Sequence, residues 1–144
     1  MGRNTPVKNP NTNTYEFGVI PYMVKDHDEF SEGIVQLRTG KHIGPNKGFG
    51  VEHIWAEHKN ELIKVGYKTK NDVPKFLADL IKPRAQIYCE FNDIRGNHRI
   101  AVVRSIIGVA YLERKFGAKN EVIYSVVTAF TKKNAAGTKI GSVQ

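Results

Sequence analysis

The sequence has little cysteine and no long apolar run. Its 144 residues contain one cysteine, Cys89, which excludes an internal disulfide. Cys89 lies in the strand-like run QIYCEF, where a small buried side chain is more typical than a catalytic thiol. No apolar run approaches the roughly 18 residues that a membrane span needs, and the N-terminus lacks the regions of a signal peptide. We therefore expect a soluble chain without a membrane span that depends on another segment if it is exported.

Acidic residues are also scarce relative to basic ones. The 14 Asp and Glu stand against 22 Lys and Arg, which gives a formal net charge of +8. This excess favours an anionic partner such as nucleic acid, an acidic protein or a membrane surface. Hydrophobic residues make up 40% of the chain and charged residues 25%, which is ordinary for a folded domain. A chain of this length fits one domain with its own core.

The two ends of the chain differ in composition from the middle. Residues 1–14 read MGRNTPVKNPNTNT, a polar stretch that predicts a flexible leader or linker. Residues 135–144 are mostly small and polar and predict a loosely held tail. The single domain is then expected over residues 15–134.

Two helices and several strands are indicated by the apolar spacing. Apolar residues over 51–65 follow one helical face, and Gly66 occupies the position of a C-terminal cap. A second helix is predicted to start after Asn71 or Asp72 and to end before Pro83. Strands are predicted for the runs GIVQLR, AQIYCEF, HRIAVVRS, IIGVAYLER and EVIYSVVTAF. Since the later connections are short, we predict an α+β fold in which N-terminal helices pack on a twisted antiparallel sheet.

Three of the five histidines fall in the stretch GKHIGPNKGFGVEHIWAEH, residues 40–58. His53 and His58 would project about 140° away from each other on a helix, so their spacing does not favour a metal site and we predict none. His58 lies on the apolar stripe and is expected to pack in the core. His53 lies opposite that stripe near the helix N-terminus, where partial positive charge favours a neutral imidazole and attracts phosphate.

The loop before His53 contains glycines at positions 44, 48 and 50, which would let a ligand approach closely, and Lys41 and Lys47 supply charge for an anion. These groups suit RNA cleavage by the ribose 2′-hydroxyl, which needs a base, an acid and cations but no metal. DNA lacks this hydroxyl, so such a site would act on RNA. A solvated histidine beside an ordinary loop is the alternative.

The run GFGVEHIW resembles the catalytic histidine motif of EndoU-type endoribonucleases, and His53 is the histidine of that motif. A second family histidine precedes the motif in a Gly-containing loop, and His42 matches it in order. The layout of helices followed by a sheet is similar to the wider barnase, EndoU, colicin and RelE group. Many members of that group are toxin domains of bacterial contact-dependent growth inhibition proteins, which the basic charge, small size and polar leader also resemble.

The resemblance further implies a Lys or Arg on a sheet strand. We assign Arg104 to this role, because alternation along HRIAVVRS places it on the face of Ile100 and Val102, an odd location for an idle charge. A snorkelling surface arginine is the alternative for this position. Three other basic residues are further candidates for this role: Arg99, Lys82 and Arg84.

The resemblance also implies a hydroxyl on the last strand, and Thr128 in VVTAFTKK matches it. Phe130 stands where the family often has tyrosine, so base stacking falls to Phe130 and a phenolic donor is lost. Tyr124 is expected to be a second exposed aromatic that contacts RNA, and Thr131 completes the predicted substrate contacts.

The residues and this resemblance together imply a monomeric endoribonuclease toxin without cofactor, in which His53 and His42 share the base and acid roles. The resemblance implies transfer RNA as the target, an acidic immunity protein as a partner, and action in a target-cell cytoplasm after secretion as the C-terminal part of a larger exported bacterial protein. Two alternatives stay open: a non-catalytic RNA-binding module, and an inactive phage or structural-protein domain of the same fold.

Overall fold

The computed structural model describes residues 2–25, 27–91, 99–104, 107–132 and 134–144; within 99–104, the side chains at positions 99, 101, 103 and 104 are not described. The helices are α1 (Gly50–Lys64) and α2 (Val73–Leu80). The strands before them are β1 (Val19–Ile20), β2 (Met23–Lys25), β3 (Asp28–Phe30), β4 (Gly33–Gln36), β5 (Lys41–Gly44) and β6 (Lys47–Phe49). The strands after them are β7 (Gln86–Glu90), β8 (Arg99–Arg104), β9 (Gly108–Phe116), β10 (Val122–Phe130) and β11 (Thr138–Ser142).

In the described part of the chain, seven strands form one sheet in the order β1-β4-β10-β9-β8-β7-β11, and β2–β3 and β5–β6 form two separate hairpins. The α+β class predicted from the sequence is confirmed. Two details differ from the prediction. Six strands precede the helices, and β4 pairs with β10 in parallel, so the sheet is mixed.

The core lies between the helices and one face of the sheet. Strand register sets Ile87 against Val102 and Cys89 against Ile100, and alternation carries this apolar face across the neighbouring strands. The stripe of α2 packs in the same core and includes Phe76, which is fully buried. Both helices lie where the spacing predicted them, and Asp72 is the N-cap of α2 as expected.

The N-terminal segment is docked, which corrects the prediction of a flexible leader. The backbone N–H of Val7 donates to Leu37 at 2.8 Å, and the N–H of Thr39 donates to Thr5 at 2.9 Å. Asn9 is buried, with 6% of its surface exposed. Polar composition predicted disorder, but backbone groups hydrogen-bond whatever side chains they carry.

The C-terminal segment is also structured, so the loosely held tail is wrong. Strand β11 pairs antiparallel with β7, and Val143 beyond it is 97% buried as part of the core, with only 3% of its surface exposed. A strand at the edge of a sheet with one face in solvent needs few apolar residues. A segment of small, polar residues can therefore form such a strand without an apolar pattern in its sequence.

Among the described residues, neither helix combines the length and apolar character that crossing a membrane requires.

Candidate active site: an exposed histidine paired with a buried one

The hairpin β5–β6 folds back against the first turns of α1 and brings two of the predicted histidines together. His42 in β5 pairs with Gly48 in β6. Gly48 has φ +138°, and a Cβ there would collide with the carbonyl oxygen of Lys41 and lie 2.9 Å from Nδ1 of His53. Glycine is therefore required at this position, both for its backbone conformation and for the space that the His53 ring occupies.

The two imidazoles form a hydrogen-bonded pair. Nδ1 of His42 lies 3.0 Å from Nδ1 of His53, and the ring centroids are 5.3 Å apart with planes 23° from parallel. His42 is exposed, whereas only 3% of the surface of His53 is exposed. One nitrogen of the pair must donate and the other must accept, so the two rings share a defined arrangement of protons.

Glu57 is the third member of the site. It follows His53 by one helical turn, and its Oε1 lies 3.9 Å from Nε2 of His53. The same oxygen accepts a hydrogen bond from the backbone N–H of Asn46 at 2.6 Å, which ties the turn of the hairpin to α1. The sequence prediction missed Glu57, although a carboxylate four residues after a helical histidine shares its face.

Burial lowers the pKa of His53, and the neighbouring histidines His42 and His58 lower it further, while Glu57 opposes them. The pKa of Glu57 is lowered, chiefly by the N–H of Asn46. His53 is therefore held neutral beside an ionised carboxylate at neutral pH.

The predicted placements of the two helical histidines, His53 and His58, are both wrong. His58, expected in the core, is partly exposed, and His53, expected to face outward, is covered by the hairpin. Helical periodicity identifies the stripe that packs against the main core, but it does not report a hairpin that covers another face.

The N-terminus of α1 is also less open than expected. The N–H groups of Val51 and Glu52 donate to the carbonyls of Arg38 and Thr39 at 3.0 and 2.9 Å. These two donors are therefore engaged, and the prediction that this helix end attracts phosphate is wrong for them.

Arg38 is a buried residue that the sequence prediction did not single out. Its Nε donates to Oγ of Ser125 at 2.8 Å, and its Nη1 donates to Oδ1 of Asn4 at 2.9 Å. The guanidinium lies over the ring of Phe49 at 4.0 Å from the centroid, and Nη2 lies 3.8 Å from Glu113. Because Phe49 caps α1, Arg38 joins the start of that helix to the sheet and to the N-terminal segment.

Lys41 and Lys47 are exposed on the same hairpin as His42. His42 and Gly48 form a pair, and neighbours in a strand point to opposite faces, so both lysines start from the other face of the hairpin. The two lysines therefore add positive charge to the hairpin, with side chains that start from the face opposite His42.

Phe130 and Thr131 lie together at the end of β10, against the middle of α1. The ring of Phe130 packs on His58 at 5.1 Å and on Tyr111 at 5.8 Å between centroids. Glu61 accepts hydrogen bonds from the backbone N–H of Thr131 at 2.7 Å and from its hydroxyl at 3.3 Å. Phe130 is partly exposed, but the Thr131 hydroxyl already has a partner.

Tyr124 is not an exposed aromatic, so its predicted contact with RNA is wrong. Only 1% of its surface is exposed, and its hydroxyl donates to the carbonyl of Ser31 at 2.6 Å. Its side chain belongs to the main core, and its position in β10 pairs with Val35 of β4. The parallel pairing was not foreseen from the sequence.

Thr128 has a buried hydroxyl for which the described residues provide no hydrogen-bond partner, and no described contact joins it to His42 or His53.

Arg99 and Arg104 lie at the two ends of β8, but their side chains are outside the described part of the structure, so their roles stay predictions. Lys82 and Arg84 are exposed between α2 and β7.

Cys89 is buried, as the sequence predicted. Burial raises the pKa of its thiol to about 11, and the nearby carboxylates Asp28 and Glu90 add to this effect. A thiol of this kind is not a nucleophile at neutral pH.

We found no matching family model, no matching curated protein and no matching solved structure for this chain. The resemblance of GFGVEHIW to the EndoU-type motif therefore stays a prediction, and any function has to be argued from the site itself.

Proposed function

We propose that the protein is a metal-independent endoribonuclease in which His42 takes a proton from a ribose 2′-hydroxyl. The observation that carries the proposal is the 3.0 Å contact between Nδ1 of exposed His42 and Nδ1 of buried His53. Attack of the 2′-oxygen on the adjacent phosphorus breaks the bond to the 5′-oxygen. The products are a 2′,3′-cyclic phosphate and a 5′-hydroxyl.

The surroundings of the pair support one arrangement of protons. The charge of Glu57, 3.9 Å away, favours a proton on Nε2 of His53, so Nδ1 of His53 accepts. Nδ1 of His42 then donates, and its Nε2 keeps the lone pair that a general base needs. His53 acts through His42 and is a positioning residue.

This arrangement changes the roles expected from the sequence, because buried His53 does not contact RNA. Protonation of the leaving 5′-oxygen then falls to a second donor, a solvent water or an exposed cationic side chain. Arg104, Arg99 and Phe130 keep their proposed parts in holding the phosphate and the bases, whereas the hydroxyl of Thr128 is buried and that of Thr131 is bound to Glu61.

The proposal is tested by incubating the purified protein with total RNA in EDTA and mapping the ends of the fragments. We expect cuts that end in cyclic phosphate and resist the chelator. His42→Ala should lower the cleavage rate about 10²- to 10⁴-fold while RNA binding persists, because it removes the base.

The matched control is His27→Asn, which changes an exposed histidine in the turn of the other hairpin, where φ is +73° and asparagine is tolerated. It should cleave like the unchanged protein. Cleavage that survives His42→Ala would overturn the assignment, and binding without any cleavage by the unchanged protein would favour the non-catalytic RNA-binding module.

The biological setting follows from the resemblance and the charge. We propose a toxin domain, secreted as the C-terminal part of a larger exported bacterial protein, that acts on RNA, with transfer RNA as first candidate, in the target-cell cytoplasm. Its producer would need an acidic immunity protein, and the net charge of +8 supports fast association with one at low salt. Failure to recover an acidic binder encoded beside the native gene would count against this part.

A further inference from the structure

The histidine pair and Glu57 also have the composition of a metal site. One ligand atom from each of His42, His53 and Glu57 lies within 4.8 Å of the other two. Imidazole nitrogen and carboxylate oxygen are the ligands that zinc takes in catalytic and inhibitory sites, with three protein ligands and one open position. The sequence prediction of no metal site rested on the helical spacing of His53 and His58, whereas the fold brings His53 together with His42 and Glu57.

The spacing of the two nitrogens is close to what one ion needs. Two nitrogens bound to a tetrahedral zinc at about 2.1 Å are about 3.4 Å apart. The Nδ1 atoms of His42 and His53 are 3.0 Å apart, so an opening of a few tenths of an ångström admits the ion in place of the shared proton. His42 is exposed, so the ion reaches the pair from solvent.

The supporting groups also fit. Oε1 of Glu57 is held by the N–H of Asn46 at 2.6 Å, an outer hydrogen bond of the kind that orients ligating carboxylates. Gly48 leaves space beside Nδ1 of His53. Two imidazoles and one carboxylate favour zinc, cobalt or nickel over magnesium and calcium, which prefer oxygen ligands.

We propose that His42, His53 and Glu57 bind one divalent transition-metal ion of the zinc class and that this ion switches off RNA cleavage. Binding takes one ring nitrogen from each histidine and one oxygen from Glu57, displaces the proton that the two rings share and turns His42 away from its role as base. The inhibitory half rests on the proposed endoribonuclease function; the binding half does not.

The binding half is tested by titrating the metal-free protein with Zn²⁺ in a calorimeter and with Co²⁺ in a visible spectrophotometer. We expect one ion per chain and the intense visible bands of four-coordinate cobalt. Glu57→Gln and His42→Ala should each weaken zinc binding about ten-fold or more, and circular dichroism checks that both variants fold.

The matched control is His58→Ala, which breaks the other His–Glu pair of α1, where Nδ1 of His58 lies 3.6 Å from Glu61. This variant should bind zinc like the unchanged protein. Equal zinc affinity in the unchanged, Glu57→Gln and His42→Ala proteins would overturn the site, as would the absence of a stoichiometric ion.

The regulatory half is tested with the same RNA assay. Cleavage should stop when one equivalent of Zn²⁺ is bound and return with EDTA, whereas Glu57→Gln should need at least ten-fold more zinc for the same inhibition. Cleavage that continues or rises with zinc bound overturns the inhibition. If the protein cuts no RNA under any condition, the proposed function fails while calorimetry and the cobalt spectrum still decide the metal site.

Discussion

The environment of each residue, more than its type, decides what the histidines of this chain do. His42 and His53 carry the same side chain, but one ring is exposed on a hairpin and the other is covered by it. Burial favours a neutral His53 that can accept a hydrogen bond, and in our proposal the second nitrogen of His42 then meets the substrate. The chemistry we propose is therefore a property of the pair.

A partly buried hydrogen bond outside the histidine site gives a stability prediction. Tyr67 donates to Oδ2 of Asp79 at 2.7 Å, and Lys75 lies 3.0 Å from the other oxygen. Burial and this bond raise the pKa of Tyr67; burial acts to raise the pKa of Asp79 too, but the bonds from Tyr67 and Lys75 outweigh it and lower that pKa. At pH 7 Tyr67→Phe should lower the free energy of unfolding by about 1.5–3 kcal/mol, measured by urea denaturation, because a partly buried carboxylate loses a donor.

The effect should depend on pH with a definite sign. Because folding depresses the pKa of Asp79, its contribution is present above the ordinary carboxylate pKa and is lost as pH falls through the folded value, so the destabilisation should shrink below about pH 4. The matched control Tyr15→Phe changes an exposed tyrosine and should alter stability by less than about 0.5 kcal/mol. A Tyr67→Phe effect that is equal at pH 7 and in acid would contradict the assigned charge on Asp79.

Single residues were only partly predictable from the sequence. Glycines and histidines in one short stretch carry a local signal, and the structure brings His42 and His53 of that stretch into contact. The burial of His53 and Tyr124 was not predictable, since the hairpin β5–β6 that covers His53 and the pairing of β10 with β4 both arise from tertiary packing. Glu57 could have been predicted from the sequence, because its helical spacing places it on the same face as His53.

At the scale of elements, the predictable parts were those with strong local patterns. The helices α1 and α2 and the strands β7 to β10 carry clear apolar periods, and they lie where those periods predicted them. The ends of the chain carry no such period. They are ordered by long-range pairing, which sequence composition does not encode.

The C-terminal strand β11 offers a test of how far that pairing matters. Gly137, just before β11, has φ +100°, and a Cβ there would collide with the carbonyl of Cys89 in β7. Gly137→Ala should therefore lower the free energy of unfolding by about 1–3 kcal/mol and speed proteolysis of the C-terminus. Urea denaturation and limited trypsin digestion measure the two effects.

Gly44→Ala is the matched control, because an added Cβ at position 44 meets no atom within 4 Å. Its stability should stay close to that of the unchanged protein. If Gly137→Ala is equally stable and equally resistant to trypsin, β11 is not held by the geometry around Gly137.

At the scale of the whole molecule, both the net charge and the position of the β5–β6 hairpin favour an anionic partner. The mixed sheet, with its parallel β4–β10 pair, places the hairpin that carries Lys41, His42 and Lys47 beside α1, and the chain as a whole carries a net charge of +8. We expect the two lysines to attract an anion to this hairpin. The parallel pair could not be read from the sequence, because it joins segments almost 90 residues apart.

Salt dependence of RNA binding tests this view of the molecule. His42→Ala would permit binding to be measured without cleavage, by fluorescence anisotropy with a labelled single-stranded RNA. The logarithm of the association constant should fall linearly with the logarithm of salt concentration, with a slope of about −0.7 for each phosphate neutralised. In that background Lys47→Ala should weaken binding and reduce the slope by about 0.7, whereas Lys119→Ala, an exposed lysine in the β9–β10 turn, should leave both unchanged. If the association constant does not change with salt concentration, or if Lys47→Ala and Lys119→Ala weaken binding equally, the hairpin does not form the RNA-facing surface.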